Sequence, residues 1–285
     1  MQFDAVANET VAVDPVPPIA PIAPFWVGLG IVAVGASLMM AARVGARLRA
    51  GVPVVAYRPH ADVPWHGIDV AVVAVAYLAA ASVAGACLPP APTVVTVLIA
   101  NLAALAVTTL FAVWHLHLRG ADLRSLGWDS ASWRDDVRLG VGGLALVVAP
   151  LLGLATLLDR IVPYEHPIVD LLLADRSGLT LAVVIVSAVV AAPIAEELFF
   201  RRILQGWLES RLPAPQRGGA VLASAGLFAA AHMGQGLAPV PLFVLGIVLG
   251  WMALQTGSIV GCTLLHALFN AVSVGLVLLT TRPTG

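Results

Sequence analysis

The sequence predicts an all-α, polytopic integral membrane protein with about eight transmembrane helices. Three observations carry that prediction. Of its 285 residues, 60% are hydrophobic and 11% charged, with a mean hydropathy of +0.95; a soluble domain carries about 25% charged residues. Apolar runs close to the ~20 residues a spanning helix needs recur along the chain. The basic residues, all of them Arg, cluster in alternate connections between those runs. This composition excludes disorder, a nucleic-acid binder, a disulfide scaffold and an ordinary soluble enzyme. A formal net charge of −1 also excludes a polyanionic partner held by bulk electrostatics.

Residues 1–24 hold three acids, five prolines and no basic residue. They lack the positive n-region and small-residue cleavage site of a secretory signal, so they read as an unprocessed, flexible acidic tail. Spans are expected at 25–42, 67–88 and 93–114, which with their loops make up an accessory segment 25–118. Further spans at 138–158, 179–200, 218–235, 237–255 and 258–280 make up a core segment 119–280, followed by a short tail 281–285 with no lipidation signal. The span 218–235 is short, and 179–200 ends in charges.

Arginine placement tests these spans independently. The first connection holds Arg43, Arg47, Arg49 and Arg58; the third holds Arg119, Arg124, Arg134 and Arg138; the fifth holds Arg201, Arg202, Arg211 and Arg217. Only Arg160, Arg176 and Arg282 fall on the alternate side. By the positive-inside rule this places both termini outside, with a bacterial cytoplasmic membrane as the expected location. Trp26, Trp65, Trp114 and Trp207 sit near predicted span ends, as interfacial aromatics do. Residues 119–138 read as a surface-lying stretch anchored by Trp128 and Trp133. Residues 163–176 read as a short interfacial helix with Ile168, Leu171 and Leu172 on its apolar face. Cys87 and Cys262 read as small buried hydrophobes, and no internal repeat is visible.

Ionisable groups inside a bilayer each cost about 2.5–3.5 kcal/mol or more, which makes them functional candidates. They concentrate in the late helices: Glu196 and Glu197 in AVVAAPIAEELFFRR, His232 in GLFAAAHM, and His266 with Asn270 in CTLLHALFNAV. Glu197 and Arg201 are i,i+4 with the acid N-terminal, the favoured order for a helix ion pair. Glu196 is turned about 100° from Glu197, so the two acids need not share a face. His266 and Asn270 project one turn apart on one face. Phe228 lies one turn before His232 and is placed to wall its ring, while Pro193 is expected to kink or loosen the helix ahead of Glu196. At about 1.5 Å per residue, Glu196 lies roughly 12–14 Å deep if its helix reaches residue 205. His232 lies near 20 Å, and His266 and Asn270 near 12 and 18 Å, so these groups share the level of an intramembrane pocket.

The ordered set EExxxR (Glu196, Glu197, Arg201), FxxxH (Phe228, His232) and HxxxN (His266, Asn270) resembles the CPBP family. That group of intramembrane proteases contains the type II CaaX prenyl endopeptidases and the bacteriocin-processing or immunity proteins, also called ABI. The resemblance covers about residues 120–280, including an SLGW segment before the fourth span. It implies a membrane-embedded endopeptidase acting on a membrane-associated, CaaX-like peptide or protein. In that resemblance Glu196 and His232 activate a water, and His266 and Asn270 donate hydrogen bonds to the oxyanion. Glu197 and Arg201 brace the fifth helix, with Glu197 within reach of the site. No cofactor is expected. The alternative is zinc held by Glu196, His232 and His266, although the local H-E-x-x-H spacing of metalloproteases is absent.

Structural readings stand beside these. Glu196 and Glu197 also read as an ion-pair cluster, and His266 with Asn270 as an interhelical hydrogen-bond device. His115 and His117 read as an interfacial solvated pair, and His60, His66 and His166 as loop histidines. Gly246, Gly250 and the GVGG segment 140–143 read as helix packing. A proton-coupled transporter would predict broken helices and repeat symmetry. A non-catalytic family member, acting as scaffold or immunity factor, would tolerate loss of Glu196 or His232.

Overall fold

The structure, a computed structural model, describes residues 24–60, 62–129, 131–163, 172 and 175–280. The expected N-terminal and C-terminal tails, His166, and the interfacial helix over 163–176 lie outside the described residues, apart from their ends and Leu172; so does the side chain of Trp26. Long apolar stretches wind into helices because, without water, each backbone polar group must be paired within its own segment. The described helices are α1 (Pro24–Arg49), α2 (Gly67–Ala86), α3 (Val94–Leu118), α4 (Trp133–Asp159), α5 (residues 178–211), α6 (Gly218–Ala230), α7 (Pro239–Thr256) and α8 (Val260–Thr280).

Seven of these are long and apolar enough to cross a membrane. The exception is α6, and it corrects the expected span 218–235. Its 13 residues rise about 20 Å, short of the ~30 Å hydrocarbon thickness. After Ala230 the chain turns, with Gly234 and Gly236 at positive φ, and α7 starts behind Pro239. The α6–α7 turn is therefore built to lie at depth. A second correction concerns α5, which continues to Arg211. Arg201 and Arg202 are accordingly buried helix residues rather than members of a loop, and Glu196 stands about 20 Å from the helix end.

The odd-numbered connections meet at one end of the molecule, as the alternating arginines require. Arg58 pairs with the Asp136 carboxylate at the start of α4, and its backbone N–H donates to the Gln255 carbonyl at 2.8 Å. Ser258, between α7 and α8, donates to Asp136 at 2.7 Å. Arg202 donates to the Ser125 carbonyl, and Arg217 pairs with Asp62 at 3.1 Å. Trp65, expected as an interfacial anchor, instead lies in this core at 1% exposure and donates to the Ile203 carbonyl at 3.0 Å. Trp128 is likewise packed inward, leaving Trp133 as the exposed tryptophan of that stretch. His115 bonds the buried Asp69 carboxylate at 3.0 Å, so it is not the solvated group expected. Cys262 is buried, but Cys87 is exposed.

A separate core joins α4, α7 and α8 through Val147, Leu151, Leu245, Leu249, Leu265 and Phe269. Close helix contact, rather than burial from water, drives such packing in lipid. The GVGG segment serves it: a Cβ on Gly140 would stand 2.8 Å from the Gly261 carbonyl oxygen, and one on Gly261 would stand 2.9 Å from that of Asp136. Gly246 does the same on α7, where a Cβ would meet Ala225 of α6 at 3.0 Å. Thermal unfolding in detergent should therefore separate two classes of glycine on α4. Gly140→Ala should lose about 1–3 kcal/mol through overpacking, whereas Gly153→Ala, which meets nothing within 4 Å, should lose nothing.

Candidate active site

The local winding of α5 follows from Pro193. A proline has no N–H to give the preceding turn, and ahead of it α5 is π-helical over Ile185–Ala191; a second π-helical stretch, Glu197–Leu204, follows. Ahead of the proline, the Ala192 N–H bonds the Ser187 carbonyl five residues back. In the same register the Ala188 carbonyl would look to residue 193, which has no hydrogen to offer. Asn270 of α8 supplies it, donating from Nδ2 to the Ala188 carbonyl at 2.9 Å. Such π segments inside α-helices are frequent at functional sites.

The adjacent glutamates face different surroundings. Glu197 is wholly buried. Its Oε2 receives the Arg201 Nε–H at 3.0 Å, and its Oε1 faces His266 Nδ1 at 2.9 Å. Arg201 extends the chain of contacts from Nη1 to Ser224 Oγ at 3.1 Å, and Ser224 donates to the Phe200 carbonyl at 2.7 Å. Glu196, by contrast, keeps 22% of its side chain exposed, and its Oε2 stands 3.7 Å from His266 Nε2. That separation is beyond a hydrogen bond. One carboxylate is thus enclosed in a pair and the other is left facing open space.

Phe228 joins these groups from α6. It is fully buried, with the Arg201 guanidinium 4.9 Å from its ring centroid. The ring meets His232 edge-on at 5.0 Å and His266 at 5.7 Å. His232 lies just past the end of α6, where its Nδ1–H donates to the Phe228 carbonyl at 2.8 Å. In the neutral ring, that bond leaves the lone pair on Nε2.

Glu196, His232, His266 and Asn270 line one cavity of about 1350 Å³, walled mostly by alanine, valine and leucine side chains of α2 to α8. Glu197, Arg201 and Phe228 are packed behind its wall. The spacing argument about Glu196 and Glu197 anticipated this division, and Phe228 walls His232 as its position suggested. Ser224 was missed, although it lies at i−4 from Phe228 and i−8 from His232 on one helical stripe. Tyr77 of α2 also lines the cavity, and a lone tyrosine in an apolar run gave no signal. Among the described residues, no group of three or more His, Cys, Asp or Glu side chains is arranged to hold a metal ion. His232 and His266 each engage Nδ1 with a protein partner, which leaves Nε2 of each ring as the nitrogen not so engaged.

Residues 178–272 match the family model described as type II CAAX prenyl endopeptidase Rce1-like. The matched segment runs from the start of α5 into α8 and holds every motif residue from Glu196 to Asn270. The match covers about a third of the chain and makes that segment similar to the type II CAAX prenyl endopeptidases. No curated protein and no solved structure matches the chain.

Two stability measurements test this geometry. Removing one partner of the buried pair, as Glu197→Gln or Arg201→Met, should each cost about 3–5 kcal/mol, because the other charge is left buried and unpaired. The double variant should cost clearly less than the sum, a non-additivity that a double-mutant cycle reads directly. Asn270→Leu should cost about 1–3 kcal/mol by stranding the Ala188 carbonyl. In a Pro193→Ala background, where residue 193 regains an N–H, the same substitution should cost measurably less.

Proposed function

We propose that the protein is an intramembrane endopeptidase that hydrolyses a peptide bond in a membrane-associated, CaaX-like substrate. The attacking water is activated by Glu196 and His232, with no catalytic metal. The observation that supports this reading most is the convergence of Glu196, His232, His266 and Asn270, from three separate elements, on one cavity. The partly exposed Glu196 carboxylate and the His232 ring, held only through its Nδ1, are the groups most open to that cavity.

In this mechanism Glu196 and the His232 Nε2 lone pair hold a water by its two hydrogens. As the water oxygen bonds to the scissile carbonyl carbon, Glu196 takes one proton. The carbonyl oxygen becomes an oxyanion and accepts the second Nδ2 hydrogen of Asn270, whose first is held by Ala188. His266 contributes at Nε2 when its ring is doubly protonated, because Nδ1 faces Glu197 at 2.9 Å. The C–N bond then breaks, the leaving nitrogen takes the proton from Glu196, and the products are a carboxylic acid and an amine. Arg201 and Glu197 hold His266 in place and do not touch substrate. Each oxyanion donor is worth on the order of 10²–10³ in rate.

The same reading sets the chain in a bacterial cytoplasmic membrane, with its arginine-rich end inside and both termini outside. The gathering of the odd-numbered connections at one end supports it. The partners are then the bilayer and a membrane-held peptide or protein, and no nucleic acid.

Purified protein should be assayed on a library of internally quenched, lipidated peptides. Glu196→Gln should lose cleavage by at least about 10³-fold, while wild-type cleavage should survive a strong chelator. Cleavage retained by the variant would overturn the assignment of the base. Cleavage lost to the chelator and restored by zinc would make Glu196, His232 and His266 metal ligands. No wild-type cleavage of any peptide would favour a scaffold or immunity role.

A further inference from the structure

An extended peptide drawn into an apolar cavity brings unpaired N–H and C=O groups, and each costs several kcal/mol unless a partner is waiting. The cavity's neutral polar side chains sort by whether their hydrogen-bonding capacity is already used. Thr108, Thr109, Thr156 and Ser273 each donate their hydroxyl to a carbonyl of their own helix four residues back, at 2.8–3.0 Å. Asn270 holds the Ala188 carbonyl. Tyr77 on α2 and Gln235 in the α6–α7 turn line the same cavity, and among the described residues neither side chain has a hydrogen-bond partner.

Their positions suit substrate handling. Tyr77 comes from α2 and Glu196 from α5, and both line the one cavity. Gln235 follows His232 by three residues in the turn that α6 holds at depth. The two groups thus come from different elements that both border the cavity. A phenol offers one donor and lone pairs, and a carboxamide offers two donors and one acceptor. Together they match what one peptide backbone presents.

Building on the protease reading, we propose that Tyr77 and Gln235 bind the backbone of the extended substrate beside the scissile bond, as positioning residues that hold it against Glu196 and His232. The accessory helices therefore contribute to substrate binding, although α2 lies outside the segment matched by the family model.

The test uses full-length protein in nanodiscs with one internally quenched, farnesylated CaaX peptide, and the variants Tyr77→Phe and Gln235→Leu. Because neither group has a hydrogen-bond partner among the described residues, both variants should unfold at the wild-type temperature. Each should raise KM on the order of tenfold with kcat changed by less than about threefold, the pattern of lost uniform binding. N-methylating the backbone amide that a variant ceases to hold should then add little further loss. Unchanged KM in both variants, or a fall in unfolding temperature with a matching fall in kcat, would overturn the proposal. Fluorescence anisotropy of the same peptide, labelled but unquenched, separates this inference from the protease reading. If wild type binds it without cleaving, the protease reading fails for that peptide. Binding weakened about tenfold in both variants would still support the assignment, and equal binding would overturn it.

Discussion

A buried ion pair, Glu197 with Arg201, is the constraint from which the rest of the site follows. Desolvating two charges is expensive, and the cost is offset only where geometry and further hydrogen bonds are good. Here Glu197 gives one oxygen to Arg201 and presents the other to His266, while Arg201 reaches Ser224 and lies against Phe228. These contacts tie α5 to α6 and α8. Breaking the pair itself would leave a charge stranded in a low-dielectric interior, and the remaining contacts fix how the three helices meet around it. His266 is aimed by this arrangement, and His232 is set by the Phe228 carbonyl and ring.

Against that fixed background, Glu196 is free to act. It follows the same helix one residue earlier, and the roughly 100° turn between neighbours points it into the cavity instead of the pair. Pro193 adds the second constraint. By removing one backbone hydrogen it leaves a carbonyl for Asn270 to hold, which anchors α8 to α5 beside the cavity. The short helix α6 adds the third: it ends at Ala230 and leaves His232 in the turn that lines the cavity. A pair, a proline and a short helix thus bring polar groups from three elements to one cavity.

Much of this was legible in the sequence because the bilayer imposes a severe code. Apolar length fixed most of the helices, and arginine alternation anticipated which connections share an end. Expense in lipid singled out Glu196, Glu197, His232, His266 and Asn270 as the residues to explain. What was not legible depended on contacts between distant segments. Trp65 resembles an interfacial anchor until the first connection folds back under α5. Arg201 and Arg202 resemble loop charges until α5 is seen to continue to Arg211. His115 looks solvated until α2 brings Asp69 beside it. The end of α6 at Ala230 was obscured because the alanines and glycines around it are apolar on either side of the turn. Tyr77 and Gln235 gave no sequence signal, since what distinguishes them is an unspent hydrogen bond.

The claim at the centre of this account is that Glu196 acts as a base on water and not as a nucleophile. Single-turnover cleavage in ¹⁸O-enriched water, with enzyme in excess over a quenched lipidated peptide, tests it most directly by mass spectrometry of the new carboxyl terminus. Attack by an activated water predicts one ¹⁸O atom in the product of the first turnover. A first-turnover product carrying only ¹⁶O, with label instead retained on the Glu196 side chain, would mean that the carboxylate itself attacked, and would contradict the account.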